Sequence, residues 1–297
     1  MLKVKLHGWK DEELSIANRI ETGFEELGHE VCHFNESVDI SIAINPDFYD
    51  EAKNQPLNKN GILIYNILDV PEHLIDTYPI DDIKVKLKDA DAITSISKST
   101  QKQVKKYFKK QSKVVYTPYL EVEKQHKNRD IDFLYVGRAS DPNKRFNLIH
   151  NAIIEAGISQ SSLVVCGPEI PSCGAYAGVV PSSQLQELYN RAKILLLPSR
   201  IEGVGLSMIE AATVGTVPIT CSDNPTAKEF GFKDFSCEPT SSDLARKMMF
   251  TLSDFLAASQ KVNEIVEKNK LKEKFNRKNV AQRYINIYED RLNSNSI

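Results

Sequence analysis

Two glutamates frame the start of an apolar helical pattern in PSRIEGVGLSMIEAATVGTVPI, residues 198–219: Glu202 stands just before the first turn and Glu210 just inside it. Between them run Gly203, Val204, Gly205, Leu206 and Ser207. A helix start carries unpartnered backbone N–H groups and the positive end of the peptide dipoles, so it attracts an anion. Glycines at 203 and 205 let a phosphate approach the backbone closely. The Cα–Cβ bond of Glu210 tilts back toward the helix N-terminus. A carboxylate there repels a phosphate but accepts hydrogen bonds from sugar hydroxyls beside it, and Glu202 can do the same on the other side. Upstream, the loop GRASDPNKRF holds Arg138 and Lys144, two cations able to clamp a diphosphate. An anion in the middle with hydroxyls at both ends describes a nucleotide-sugar. Taken alone, the glutamates could equally be solvated first-turn charges favoured by the dipole.

The elements that must position these residues are short apolar strands alternating with helical patterns. LKVKL opens the chain, followed by a helix with Leu14, Ala17, Ile20, Phe24 and Leu27 on one stripe, then HEVCHF, DISIAI and GILIYNI. A helix is expected through KVKLKDADAITSISKSTQKQVKKYF, and KVVYTP closes the first half. Residues 121–130, EVEKQHKNRD, are polar and aperiodic and read as a linker. The alternation restarts with DFLYVG, SLVVCG, AYAGVV, KILLLP, TVPITC and DFSCE, with KRFNLIHNAIIEAG as the clearest helix between them. This is an α/β pattern of two Rossmann-like domains with mostly parallel sheets. Ligands of such sheets bind at the carboxyl ends of the strands, so the segments after DFLYVG, SLVVCG and KILLLP should line one crevice. The expected divisions are 1–122, 123–277 and a C-terminal helix, 278–297.

A chain of 297 residues can bury two cores. Its 41% hydrophobic and 26% charged residues are those of a globular protein, and a formal net charge of −2 gives no reason to expect nucleic-acid binding. The five cysteines are odd in number, never spaced as CxxC, and sit in apolar segments, as reduced core residues of a cytoplasmic protein do. The start MLKVKLHGWKDEE lacks a signal-peptide stretch, and no apolar run is long enough to span a bilayer. No cluster of His, Cys and Asp has metal-ligand spacing and no Ser-His-Asp order suggests a hydrolase. GVGLSM is not a dinucleotide fingerprint, since Met208 stands where the third glycine belongs.

Four pieces in order, GR…K at Arg138 and Lys144, GVVPSSQLQELYNRAKILLLPS, EGVGLSMIE and EAATVGTVPI, resemble glycosyltransferase family 4, whose members are retaining, nucleotide-sugar-dependent enzymes of the GT-B fold. LGHEV at 27–31 is similar to the end of that family's first helix, and NRKNVAQRYINIYED to its last, which crosses back to the N-terminal domain. The resemblance implies a hexosyltransferase-type enzyme (EC 2.4) in which Glu210 binds ribose, Glu202 contacts the donor sugar, and Arg138 and Lys144 hold the diphosphate. The leaving phosphate oxygen then serves as base for the acceptor hydroxyl on the same face, with no metal and no cofactor beyond the donor. On the acceptor side the sequence departs from the family: the glycine-rich loop is reduced to Gly8 beside Trp9, and the expected histidine position reads YNILDVPEH, with Asn66 nearby and His73 further on. Trp9 could stack on an acceptor sugar or close a domain face. The acceptor is expected to be a glycan, a lipid-linked sugar or a protein. The run from Lys98 to Lys113 carries seven lysines, of which Lys98, Lys102, Lys105 and Lys109 share a helical face. Such a face is either solvated or a peripheral dock on an anionic inner membrane surface. Alternatives of other classes are a non-catalytic nucleotide-sugar-binding subunit and a GT-B epimerase or hydrolase.

Overall fold

The computed structural model describes every residue except 11–14, 69, 126–127 and 295–297. Two compact units divide the chain: Met1–Tyr119 with Glu273–Ile297, and Leu120–Lys272. The first is built on six strands, β1 (Lys3–His7), β2 (Glu30–Val31), β3 (Val38–Ile44), β4 (Leu57–Ile67), β5 (Ala92–Ser95) and β6 (Lys113–Val114), in the order β2-β1-β3-β4-β5-β6. The second has β7 (Ile131–Val136), β8 (Leu163–Cys166), β9 (Ala175–Gly178), β10 (Ala192–Leu197), β11 (Val217–Cys221) and β12 (Ser236–Cys237), in the order β12-β11-β10-β7-β8-β9. The pairs of neighbours run parallel throughout both sheets. Two parallel α/β units of this kind are the GT-B architecture.

Both faces of the first sheet are covered, as strands such as GILIYNI require. One face packs Val4, Leu6, Ile40, Ile42 and Ile64 under the helix Ile16–Glu26 and the helix Arg277–Ser294, which contributes Tyr284, Ile285 and Tyr288. Ala43, Leu63 and Tyr65 face the other way, onto Val104 and Phe108 of the helix Lys98–Phe108. The C-terminal segment thus belongs to the first unit, which it joins at Glu273. Within the Lys98–Phe108 helix Thr100, Val104 and Phe108 are buried while Lys102, Lys105 and Lys106 are exposed.

Two expectations are corrected. The single helix expected through residues 84–108 is a helix, Ile80–Asp89, the strand β5, and the helix Lys98–Phe108. The run AITS carries the β-branched Ile93 and Thr94 and slots beside β4, and Ser97 restarts the helix by accepting from Thr100 N at 3.0 Å. The polar segment 121–130, of which 126–127 lie outside the described residues, is no free linker. Asn190 Oδ1 accepts from Gln125 N (2.7 Å) and Asn190 Nδ2 donates to Glu123 O (2.9 Å). The guanidinium of Arg129 donates to Thr216 Oγ1 at 2.7 Å and to the carbonyls of Ala192 and Val214. Polarity here serves backbone groups of the second unit instead of solvent.

Candidate donor site in the second unit

Strand order reverses between β7 and β10: the chain runs outward from β7 through β8 and β9, then jumps to β10 on the other side. Loops leaving such a pair diverge and open a crevice at the carboxyl ends. Here they are 137–145 after β7 and 198–205 after β10, and Asn143 stitches them together. Its carbonyl accepts from Arg200 N (2.9 Å), its Oδ1 accepts from Ile201 N (3.1 Å), and its Nδ2 donates to Ile201 O (2.8 Å). This registers Lys144 against Glu202, Nζ to Oε1 at 2.6 Å, with both side chains largely buried. The third loop enters through Glu169, whose carboxylate accepts from Ala139 N and Ser140 Oγ, each at 3.0 Å. Gly167 makes this approach possible, because a Cβ there would lie 2.1 Å from Gly137 O. The three segments expected to line one crevice are therefore neighbours, bridged by these bonds.

The helix Leu206–Thr213 begins at Gly205, held at φ 75°. A side chain at that left-handed position would be strained and would also approach Leu197 Cδ2 at 3.2 Å. Val204 and Gly205 are buried, while Gly203, Leu206 and Ser207 are partly open. Beneath the β7 loop the Tyr135 hydroxyl donates to Arg138 O (3.1 Å). Burial, helped by the Glu202 carboxylate, pushes its phenol above the usual range, so it stays a donor.

The sequence-derived residues fare differently. Lys144 and Glu202 are brought together. Arg138 is mostly exposed and turned onto Asp141 Oδ2 at 2.8 Å. Glu210 lies in the core, 5% exposed, with Oε1 accepting from Leu120 N and Oε2 from Tyr189 OH, both at 2.9 Å. Sequence reasoning missed Asn143, Glu169 and Arg145. Arg145 sits at φ 51° and donates to both oxygens of Asp223, at 3.0 and 2.6 Å, linking the β7 loop to the β11 loop. Asp223 raises the pKa of that guanidinium further. No periodicity marks such residues, because their partners are far away in sequence.

In the first unit Gly8 packs against Ile44 and Ala17, and Trp9, 55% exposed, meets Phe48 edge-on with centroids 4.8 Å apart. Asn66 is inside the sheet, 1% exposed, where its Oδ1 accepts from Thr94 Oγ1 (3.1 Å). His73 is partly buried in the first turn of the helix Pro71–Thr77. Asn45, passed over in the sequence, ends β3 at φ 67°, ψ 168°, a conformation that costs a non-glycine residue about 1–3 kcal/mol. Among the described residues only Glu30, Cys32 and Glu36 bring three metal-type ligand atoms within 4.8 Å, and Lys3 Nζ already lies 2.5 Å from Glu36 and 3.5 Å from Glu30.

Fold and site together define a GT-B protein whose β7, β8 and β10 loops are bridged by polar side chains in the second unit. Residues 119–279 match the family glycosyl transferases group 1, and the chain belongs to that family. No curated protein matches the sequence. Among solved structures, Anabaena Alr3699/HepE in complex with UDP and glucose is similar over 97% of this chain and 99% of that one, at TM-score 0.72 and 12% identity. Sucrose-phosphate synthase from Thermosynechococcus elongatus is similar over 92% and 76%, at TM-score 0.70 and 14% identity. AviGT4, a glycosyltransferase involved in avilamycin A biosynthesis, is similar over 97% of each chain, at TM-score 0.62 and 17% identity. At these identities the likeness is one of fold.

Proposed function

We propose that this protein transfers a sugar, with retention of configuration, from a nucleoside diphosphate sugar to an acceptor hydroxyl. The observation that carries the reading is the Lys144–Glu202 pair, held at 2.6 Å across the two loops of the β7/β10 crevice by Asn143. A cation and a carboxylate side by side suit a ligand that is anionic at one end and hydroxylated at the other. HepE was crystallised with UDP and with UDP-glucose, which supports UDP as the nucleotide.

In this reading Lys144, Arg138 and the amides around Gly205 neutralise the charge that grows on the diphosphate as its bond to the anomeric carbon breaks. Arg138 leaves Asp141 to do so. Glu202 accepts from donor-sugar hydroxyls, and Glu210 from ribose. The acceptor oxygen bonds to the anomeric carbon on the face the diphosphate leaves, and its proton passes to the departing phosphate oxygen. The cations and the helix start do the work a divalent metal does elsewhere, and no cofactor enters. Gly8, Trp9 and His73 serve the acceptor side.

Among the described residues no helix is long and apolar enough to cross a membrane. The lysines of the Lys98–Phe108 helix fit a peripheral contact that presents a lipid-linked acceptor.

The test is turnover of a panel of labelled nucleotide-sugars with the product's anomeric configuration read by NMR, with and without chelator. Transfer with the donor's configuration kept, insensitive to chelator, is expected; inversion or strict metal dependence overturns the mechanism, and free sugar or an epimer as the main product overturns transfer.

A further inference from the structure

At the carboxyl ends of β11 and β12, beyond the crevice of β7 and β10, Ser222, Asn224, Lys228, Lys233, Glu238 and Asp243 line a cavity of about 390 Å³. Asn224 is 2% exposed. Its Oδ1 accepts from Thr226 N (3.1 Å) and Thr226 Oγ1 (2.8 Å), which fixes the orientation of the amide. Its Nδ2 is thereby left as a buried donor with no acceptor in the protein. Buried donors are almost always satisfied, so one that is not points to a missing partner.

The charged groups of the cavity are not balanced. Lys228 and Lys233 are exposed and, among the described residues, held in no ion pair. Asp243 is spoken for: Oδ2 accepts from Glu238 N (2.7 Å) and Oδ1 from Arg246, and these bonds hold its carboxyl below the usual range. Glu238 is exposed at the rim. Two ammonium groups and one directed amide donor therefore face a single uncommitted carboxylate.

That set has a defined chemical complement. Ammonium groups supply charge to an oxyanion without demanding planarity, and the amide donates one directed hydrogen bond. The remaining carboxylate accepts from a hydroxyl on the same ligand. We propose that this cavity binds a small, hydroxylated phosphate monoester, at a site separate from the nucleotide crevice. Asp223 lies between Ser222 and Asn224 and turns the other way, onto Arg145, so the β11 loop divides the two sites.

Isothermal titration of the full chain with inorganic phosphate and with glycerol 3-phosphate tests this, each alone and with UDP at saturation. Glycerol 3-phosphate should bind more tightly than phosphate, and both should still bind in the presence of UDP. Lys228→Gln and Lys233→Gln should each weaken binding about tenfold, the loss of one charge-assisted bond, with the melting temperature unchanged. Competition with UDP would place the anion in the crevice and overturn the proposal. So would wild-type affinity in the double lysine variant, or no binding at millimolar concentrations. Equal affinity for the two probes would overturn the monoester assignment. Because the lysine variants test the cavity whether or not UDP binds, a failure here is distinguishable from a failure of the donor reading.

Discussion

The two sheets each reverse their strand order once, and the two reversal points are finished in opposite ways. In the second unit polar side chains tie the loop above β7 to its neighbours: Asn143 and the Lys144–Glu202 pair to the β10 loop, Glu169 to the β8 loop, and the Arg145–Asp223 pair to the β11 loop. In the first unit, above β1 and β3, the join is mainly packing, with Gly8 against Ile44 and Ala17 and Trp9 on Phe48, while the polar His7 and Asn66 are buried below. A crevice for an anion needs its cations fixed before the ligand arrives, and bonds between loops provide that. A surface for a sugar hydroxyl needs an open aromatic or amide and little charge. In the proposed function the second unit takes the donor and the first the acceptor, and variants in each unit test this difference.

The sharpest way to break that comparison is Lys144→Ala. Loss of one preorganised donor to the leaving group should lower turnover about 100- to 1,000-fold, a larger effect than the drop in melting temperature that comes from leaving the Glu202 carboxylate without its partner. Arg138→Ala should cost less, since that side chain is mostly exposed and spends its time on Asp141. Equal and negligible losses in both would remove the anion crevice from the mechanism.

Glu210→Ala should act on stability first. It strands Leu120 N–H and the Tyr189 hydroxyl, and a buried group left unmade costs about 1–3 kcal/mol. Tyr189→Phe separates the two roles: it should lower the denaturation midpoint yet leave UDP affinity near wild type. Calorimetry showing equal loss of UDP binding in both variants would mean that Glu210 only holds the core.

Acid should unsettle the first unit through His7. Burial holds this imidazole below its ordinary value of 6.5, opposed by the Glu51 carboxylate 3.2 Å from Nδ1. Ser41 faces Nε2 at 3.3 Å, and Lys5 and Lys10 also disfavour the charge. The unfolded chain takes up the proton near pH 6.5, the folded one only below that, so stability is full above 6.5 and falls as the pH drops beneath it. The slope for one proton is at most about 1.4 kcal/mol per pH unit. Melting temperatures from about pH 8 to about pH 5.5 should show this in the wild type and a flatter profile in His7→Gln.

The smallest effect should come from Trp9→Ala. With 55% of its surface already in water, its loss should change stability by less than about 1 kcal/mol. Acceptor KM should rise while donor KM holds. A rise in donor KM instead would erase the division of labour between the units.

Much of this fold is legible in the sequence because parallel sheets covered on both faces leave apolar runs such as ILLL and ILIY, which composition alone reveals. The strand β5 was hidden because AITS lies between two lysine-rich helical stretches, and its one marker is the pairing of Ser97 with Thr100 as a cap. Lys144 and Glu202 could be picked out by type and setting. Asn143 could not, since a neutral residue between Pro142 and Lys144 gives no sign that it will bridge to residues 200 and 201. Arg129 was misread for a related reason: a charge in a polar stretch looks solvated until the carbonyls it serves are placed around it.

One feature of the chain's route sets an order of events during synthesis. Residues 120–272 form an unbroken unit, so its whole sequence has been translated before the helix Arg277–Ser294 is begun. The first sheet must wait, with Ile42 and Ile64 lacking the cover of Val280, Tyr284 and Ile285. The half of the protein that is translated first is therefore the half that is finished last.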